Sequence, residues 1–205
     1  MTRTSAGLPP LLARAHWIFD LDGTLTLPVH DFAFIRRELG VPDGSDILQY
    51  LSSLPADAAA PLHARLEEIE QDLARRATPA PGARTLVTRL SGNGARLGIL
   101  TRNSREIALE TLAAIGCRDY FRAEEVIGRD EALPKPDPDG ILRLAERWGT
   151  SPQNSVMVGD YLFDLQAGRA AGAATVHVAR PDGQLWPDCT DLAVATLADL
   201  AGRLP

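Results

Sequence analysis

The chain has 205 residues, with 21 basic against 27 acidic side chains and a net charge of −6. That length buries a sizeable core, as one domain or one domain with an insertion. The acidic balance argues against a nucleic-acid partner, and no apolar run reaches transmembrane length, so no membrane contact is expected.

Met1 to Arg14 is too short and too interrupted by Pro9 and Pro10 for a signal peptide, which predicts a cytoplasmic protein. Trp17 to Phe19 is a short apolar run that stops at two acids, Asp20 and Asp22; such a run reads as a buried strand. Alternation along the strand starts both carboxylates on one side. Like charges held together are tolerated if a divalent cation lies between them or if one keeps its proton. Gly23 then permits a sharp turn or a close backbone approach. An EF-hand loop would need Gly at its sixth position and Glu at its twelfth; Leu25 and Asp31 stand there.

Residues 28 to 78 hold no convincing strand. Asp31 to Leu39 reads as a helix with Phe32, Ile35 and Leu39 on its apolar side, ended by Gly40 and Pro42. Ser45 or Asp46 can cap a second helix through Leu51. Asp57 to Ala77 reads as a third, with Leu62, Leu66, Ile69 and Leu73 in one stripe. Pro79 to Gly82 is a linker.

From Ala83 onward helix and strand alternate. The expected helices are Arg84–Leu90, Ser104–Ile115, Asp139–Trp148 and Leu162–Ala171. The expected strands are Ala95–Leu100, Glu124–Ile127, Ser155–Val158 and Ala174–Val178, with a final helix in the tail from Asp191 to Leu204. This order predicts an α/β fold: a Rossmann-like, doubly wound, mostly parallel sheet with a small helical cap inserted after its first strand. The core would comprise 1–27 and 82–205, and the cap 28–81. Sites in such sheets lie at the carboxyl ends of strands. Cys117 and Cys189 have neither metal spacing nor a disulfide framework and read as small, partly buried side chains.

Chemistry-bearing residues fall at those strand ends. Thr101 follows an apolar strand and stands before a helix N-terminus, where a hydroxyl and exposed amides can hold a phosphoryl oxygen, or where it can serve simply as a cap. Arg102 and Asn103 come next. Lys135 is the single lysine of the chain, set in Leu133-Pro134-Lys135-Pro136-Asp137-Pro138. Its compact ammonium fits where a planar guanidinium does not. Gly159-Asp160 ends a buried strand, and Asp164 follows one helical turn later, so both carboxylates can face one point.

In order, Asp20-Leu21-Asp22-Gly23-Thr24-Leu25-Thr26, Thr101, Lys135 and Gly159-Asp160 with Asp164 resemble the four motifs of the haloacid dehalogenase-like hydrolases, in the phosphoglycolate phosphatase-like group with a helical cap after motif one. The resemblance implies Asp20 as nucleophile, Asp22 as general acid/base, and Thr101 and Lys135 on the phosphoryl group, with Arg102 and Asn103 as further phosphate-binding candidates. It implies Mg²⁺ held by Asp20, Asp22 (through its carbonyl) and Asp160, with Asp164 behind them. Many relatives have Asn directly after the Thr; Arg102 stands there instead. The cap would supply recognition of the leaving group, with His30 and Arg36 the first candidates, and would hinge near Leu27-Pro28 and Pro79 to Gly82.

The expected activity is Mg²⁺-dependent hydrolysis of a small phosphomonoester by a monomer or homodimer. Haloacid dehalogenases lack the second acid of motif one, and phosphonatases use a cap lysine; Asp22 is present and residues 28–81 contain no lysine. A sugar phosphomutase remains the alternative, and a non-catalytic scaffold the third reading.

Overall fold

The computed structural model describes residues 10–29, 31–180 and 183–205. Six strands form one sheet: β1 (His16–Phe19), β2 (Arg96–Leu100), β3 (Val126–Ile127), β4 (Ser155–Gly159), β5 (Ala174–Val178) and β6 (Leu192–Val194), in the order β3-β2-β1-β4-β5-β6. All five pairings are parallel, where the sequence predicted a mostly parallel sheet. Both faces are covered, so the strands read as continuous apolar runs. Trp17 and Phe19 point into one layer with Leu97, Ile99, Val156 and Val158. Ile18 points into the other with Leu100, Met157 and Leu144. The first layer is closed by α4 (Ala83–Gly92), α5 (Arg105–Ala114) and α8 (Leu197–Arg203), the second by α6 (Asp139–Trp148) and α7 (Leu162–Ala171).

Between β1 and α4 lie α1 (Phe32–Leu39), α2 (Ile47–Ser52) and α3 (Ala56–Arg75). Asp31 and Asp46 cap the first two by accepting the amides of Phe34 and Gln49. These helices share an apolar cluster of their own, built on Ile35, Leu39, Leu51, Leu66 and Ile69. Phe32, which shares helical spacing with Ile35 and Leu39, is 56% exposed at the first position of α1. The chain leaves and re-enters the sheet side by side, with Leu27 N–H donating to Thr78 O and Ala80 N–H to Leu25 O, both at 2.9 Å.

Two expectations changed at the edges. Glu124 and Glu125 form a tight 3₁₀ turn rather than strand, leaving β3 with two residues. The tail holds β6 before its helix; three residues with only Val194 buried give too little pattern to read.

Candidate active site

Strand order reverses direction between β1 and β4, the place where parallel sheets of this kind open a crevice at the carboxyl ends of their strands. Asp20 extends β1 by one residue, its N–H donating to Val158 O at 2.9 Å, and this brings it beside Asp160 at the end of β4. One oxygen of each of Asp20, Asp160 and Asp164 lies within 4.8 Å of the others. Lys135 Nζ is wedged among them, 2.6 Å from Asp20 Oδ1 and 2.7 Å from Asp164 Oδ1. Burial works against the ammonium, but Asp164 and Asp20 outweigh it and hold its pKa above the ordinary lysine range.

Asp164 serves two elements. Oδ1 meets Lys135, and Oδ2 accepts Tyr161 N–H at 3.1 Å, closing the first turn of α7. Burial lifts its carboxyl to about 7, with the Asp20 charge adding and Lys135 opposing. Gly159 is required here by space: a Cβ would stand 2.2 Å from Asp164 Cβ.

Thr24 was not foreseen. Its hydroxyl lies 3.2 Å from Asp20 Oδ2 and 3.3 Å from Asp160 Oδ1. One proton serves one acceptor at a time, unless the other carboxyl is protonated; burial and Asp20 both push the Asp160 pKa up. Arg180, after β5, donates Nη2 to Asp160 Oδ2 and was also missed. Gly23, at φ +85°, makes room for this pair: a Cβ there would be 2.6 Å from Asp160 Oδ2 and 2.8 Å from Arg180 Nη2.

The carboxylate of Asp22 lies outside the Asp20–Asp160–Asp164 group. Its Oδ2 accepts Asn103 Nδ2 at 2.7 Å. Desolvation first, then Asp20, raise its pKa to about 7 against the pull of Lys135. Because the folded value lies above the unfolded one, the stability associated with the protonated acid is full below about pH 4. It is lost as pH rises through about 7, at a cost of at most about 4 kcal/mol, reduced by the water that still reaches this carboxyl. Asp22→Asn is therefore expected to raise the urea midpoint at pH 8 in EDTA and to leave it nearly unchanged at pH 4.5. Equal shifts at both pH values would contradict the assignment.

Thr101 is buried at the end of β2, its N–H donating to Ile127 O at 3.0 Å and its Oγ1 accepting Asn103 N–H at 3.2 Å. Ser104, not Thr101, caps α5. Of the two neighbours considered for phosphate, Asn103 is turned onto Asp22, and Arg102 reaches Asp46 Oδ2 at the start of α2, at 2.5 Å. Arg36 Nε donates to Ser45 O at 3.0 Å and so braces the loop before α2. His30 lies outside the described residues.

A parallel sheet with four acids and a buried lysine gathered at its switch point marks this edge as the candidate active site. A model of the haloacid dehalogenase-like hydrolases matches residues 16–172, and the chain belongs to that family. A hydrolase of Saccharomyces cerevisiae, described as uncharacterized, is 31% identical over 191 residues, covering 90% of this chain and 86% of its own. The phosphoglycolate phosphatase of Chromobacterium violaceum is 30% identical over 208 residues, covering 89% of this chain and 92% of its own. The crystal structure of a predicted phosphoglycolate phosphatase from Haemophilus somnus shares the fold, with a TM-score of 0.73 at 20% identity over 92% of this chain and 97% of that one. Among the described residues no helix is long and apolar enough to cross a membrane.

Proposed function

We propose that this protein is a Mg²⁺-dependent phosphatase that hydrolyses a small phosphomonoester through an aspartyl-phosphate on Asp20. The observation that carries this reading is the split between the two acids of the first strand. Asp20 is ion-paired to Lys135, while Asp22, two residues on, is held by a neutral amide and has its pKa pushed to about 7. A carboxylate paired with an ammonium beside a second acid held by a neutral amide is the arrangement expected of divided nucleophile and acid roles.

In this mechanism Asp20 attacks phosphorus in line. Asp22 gives its proton to the leaving alcohol and then takes one from the water that cleaves the intermediate. Lys135 holds charge on the phosphoryl oxygens, helped by the Thr101 hydroxyl and the amides that follow it. The donor set fits a divalent cation. Three carboxylates converge and their oxygens suit Mg²⁺; burial first, and the Asp20 charge after it, raise the pKa values of Asp22, Asp160 and Asp164, and a cation bound there would oppose both. Asp20, Asp160 and the main-chain carbonyl of Asp22 would hold the ion, with Asp164 fixing Lys135 behind them. Mg²⁺ would supply charge neutralisation on the transferring group.

We read residues 28–81 as the cap over this crevice, with recognition of the leaving group divided between its inner face and the core loops. The relation to phosphoglycolate phosphatases makes small carboxylated phosphomonoesters the first to test.

Phosphate release from a panel of small phosphomonoesters is expected with Mg²⁺ and to fall at least about a hundredfold in EDTA. Release that is indifferent to EDTA would contradict the cation assignment. Turnover that appears only with a bisphosphate activator would identify a mutase instead, and no turnover on any substrate would favour the scaffold reading.

A further inference from the structure

Helix α3 carries a carboxylate where its own pattern calls for an apolar side chain. Glu70 follows Ile69 and lies one turn beyond Leu66, both buried, and is itself only 7% exposed. An acid is rarely buried without a partner. Here both oxygens are engaged by one guanidinium: Arg129 Nη1 to Oε1 and Nη2 to Oε2, each at 2.8 Å. Burial works against the charge on Arg129, yet Glu70 holds its pKa above the ordinary value.

Arg129 belongs to the loop after β3, and its N–H donates to Asn103 O at 2.9 Å. Asn103 is the residue whose side-chain amide holds Asp22. One ion pair therefore joins α3 to the loops that surround Asp22.

We propose that Glu70 and Arg129 are positioning residues, forming a reversible contact that holds helices α1–α3 closed over Asp22. The catalytic part of this inference rests on the reading of Asp22 as general acid/base. Three features support it. The helices have their own apolar cluster and join the sheet through two adjacent connectors, and beyond these α3 runs alongside the core helix α5, the contact across which the group would slide or open. The second charged link, Arg102 to Asp46, is about one-third exposed on both sides, and pairs of that kind contribute little. Finally, an ion pair suits a contact that must open. On opening, both charges regain water, whereas an apolar contact of equal size would expose hydrophobic surface at every cycle.

Neutralising one member leaves the other charge desolvated only in the closed form, so the equilibrium moves toward the open one. Neutralising both removes that penalty. The test is a four-way comparison of wild type, Glu70→Gln, Arg129→Gln and the double variant. Spin labels at Ser52→Cys on α2 and Arg147→Cys on α6, in a Cys189→Ser background, report the distance between the two parts. Each single variant is expected to raise the ratio of long-distance to short-distance populations about tenfold and to lower kcat/KM for p-nitrophenyl phosphate in proportion to the closed fraction lost, with both effects partly reversed in the double variant. Unchanged distances in the single variants, or a double variant as open as the two effects added, would overturn the proposal. The distance measurement needs no turnover, so an inactive wild type would remove the phosphatase reading and leave the contact itself still decided.

Discussion

Replacing Asp20 by asparagine is expected to reduce phosphate release at least a thousandfold, and as far as about a millionfold, while leaving the protein as stable as before or more so. The amide keeps the size and shape of the side chain but is no nucleophile. The stability side follows from charge. Asp20 raises the pKa of each of Asp22, Asp160 and Asp164, so it stands in a crowd of like charges. Removing its charge relieves three acids, and Lys135 keeps Asp164 as a partner. Thermal unfolding in EDTA should show an unchanged or raised midpoint. A lowered midpoint, or activity above about one per cent of wild type, would show that Asp20 has a structural role or that another group attacks.

The second large effect is expected at Lys135. Its side chain is 4% exposed and touches two carboxylates. Lys135→Met fits the space but leaves Asp20 and Asp164 buried without their cation, a loss on the order of 3–5 kcal/mol. For a chain of this size that corresponds to a midpoint lowered by roughly 10 °C, together with loss of turnover. The destabilisation should grow with pH. Lys135 opposes the burial that raises the Asp164 pKa, so its removal raises that pKa further; the acid sheds its charge by taking a proton at low pH and carries the full cost only where it must ionise. Lys135→Arg should not restore activity, because a planar guanidinium does not fit between carboxylates 2.6 Å and 2.7 Å from one compact ammonium. A midpoint insensitive to Lys135→Met at pH 8 would mean that the pair contributes nothing to the fold.

Local pattern was strongest where one element carried both its periodicity and its stop signals. Helix α6 was expected over Asp139–Trp148 and is found there, between Pro138 and Gly149. Strand β4 was expected from a continuous apolar run and gained only Gly159. Strand β6 was missed because three residues, one of them buried, show no period. Pattern also grouped Phe32 with Ile35 and Leu39, because helical spacing states which residues share a face and not how deeply each is buried.

Asp20, Lys135, Asp160 and Asp164 were legible because each stands at an abrupt break in an apolar run or in a proline-stiffened loop, and such breaks in a parallel sheet fall at one edge. Their residue types and order along the chain were enough to expect a common site. The partners that set their states were not legible. Thr24 between two acids, Arg180 on Asp160, Asn103 on Asp22, Arg102 on Asp46 and Arg129 on Glu70 are contacts between elements 4 to 136 residues apart or brought together only by the sheet order. Motif and periodicity act over one strand or one turn of helix, so the chain by itself determined the alternation of elements and the acids at their ends. Hydrogen bonds and charge act over a few ångströms of space, so only the folded sheet decided which acid meets the lysine, which meets an amide, and which are buried deeply enough for their pKa values to rise.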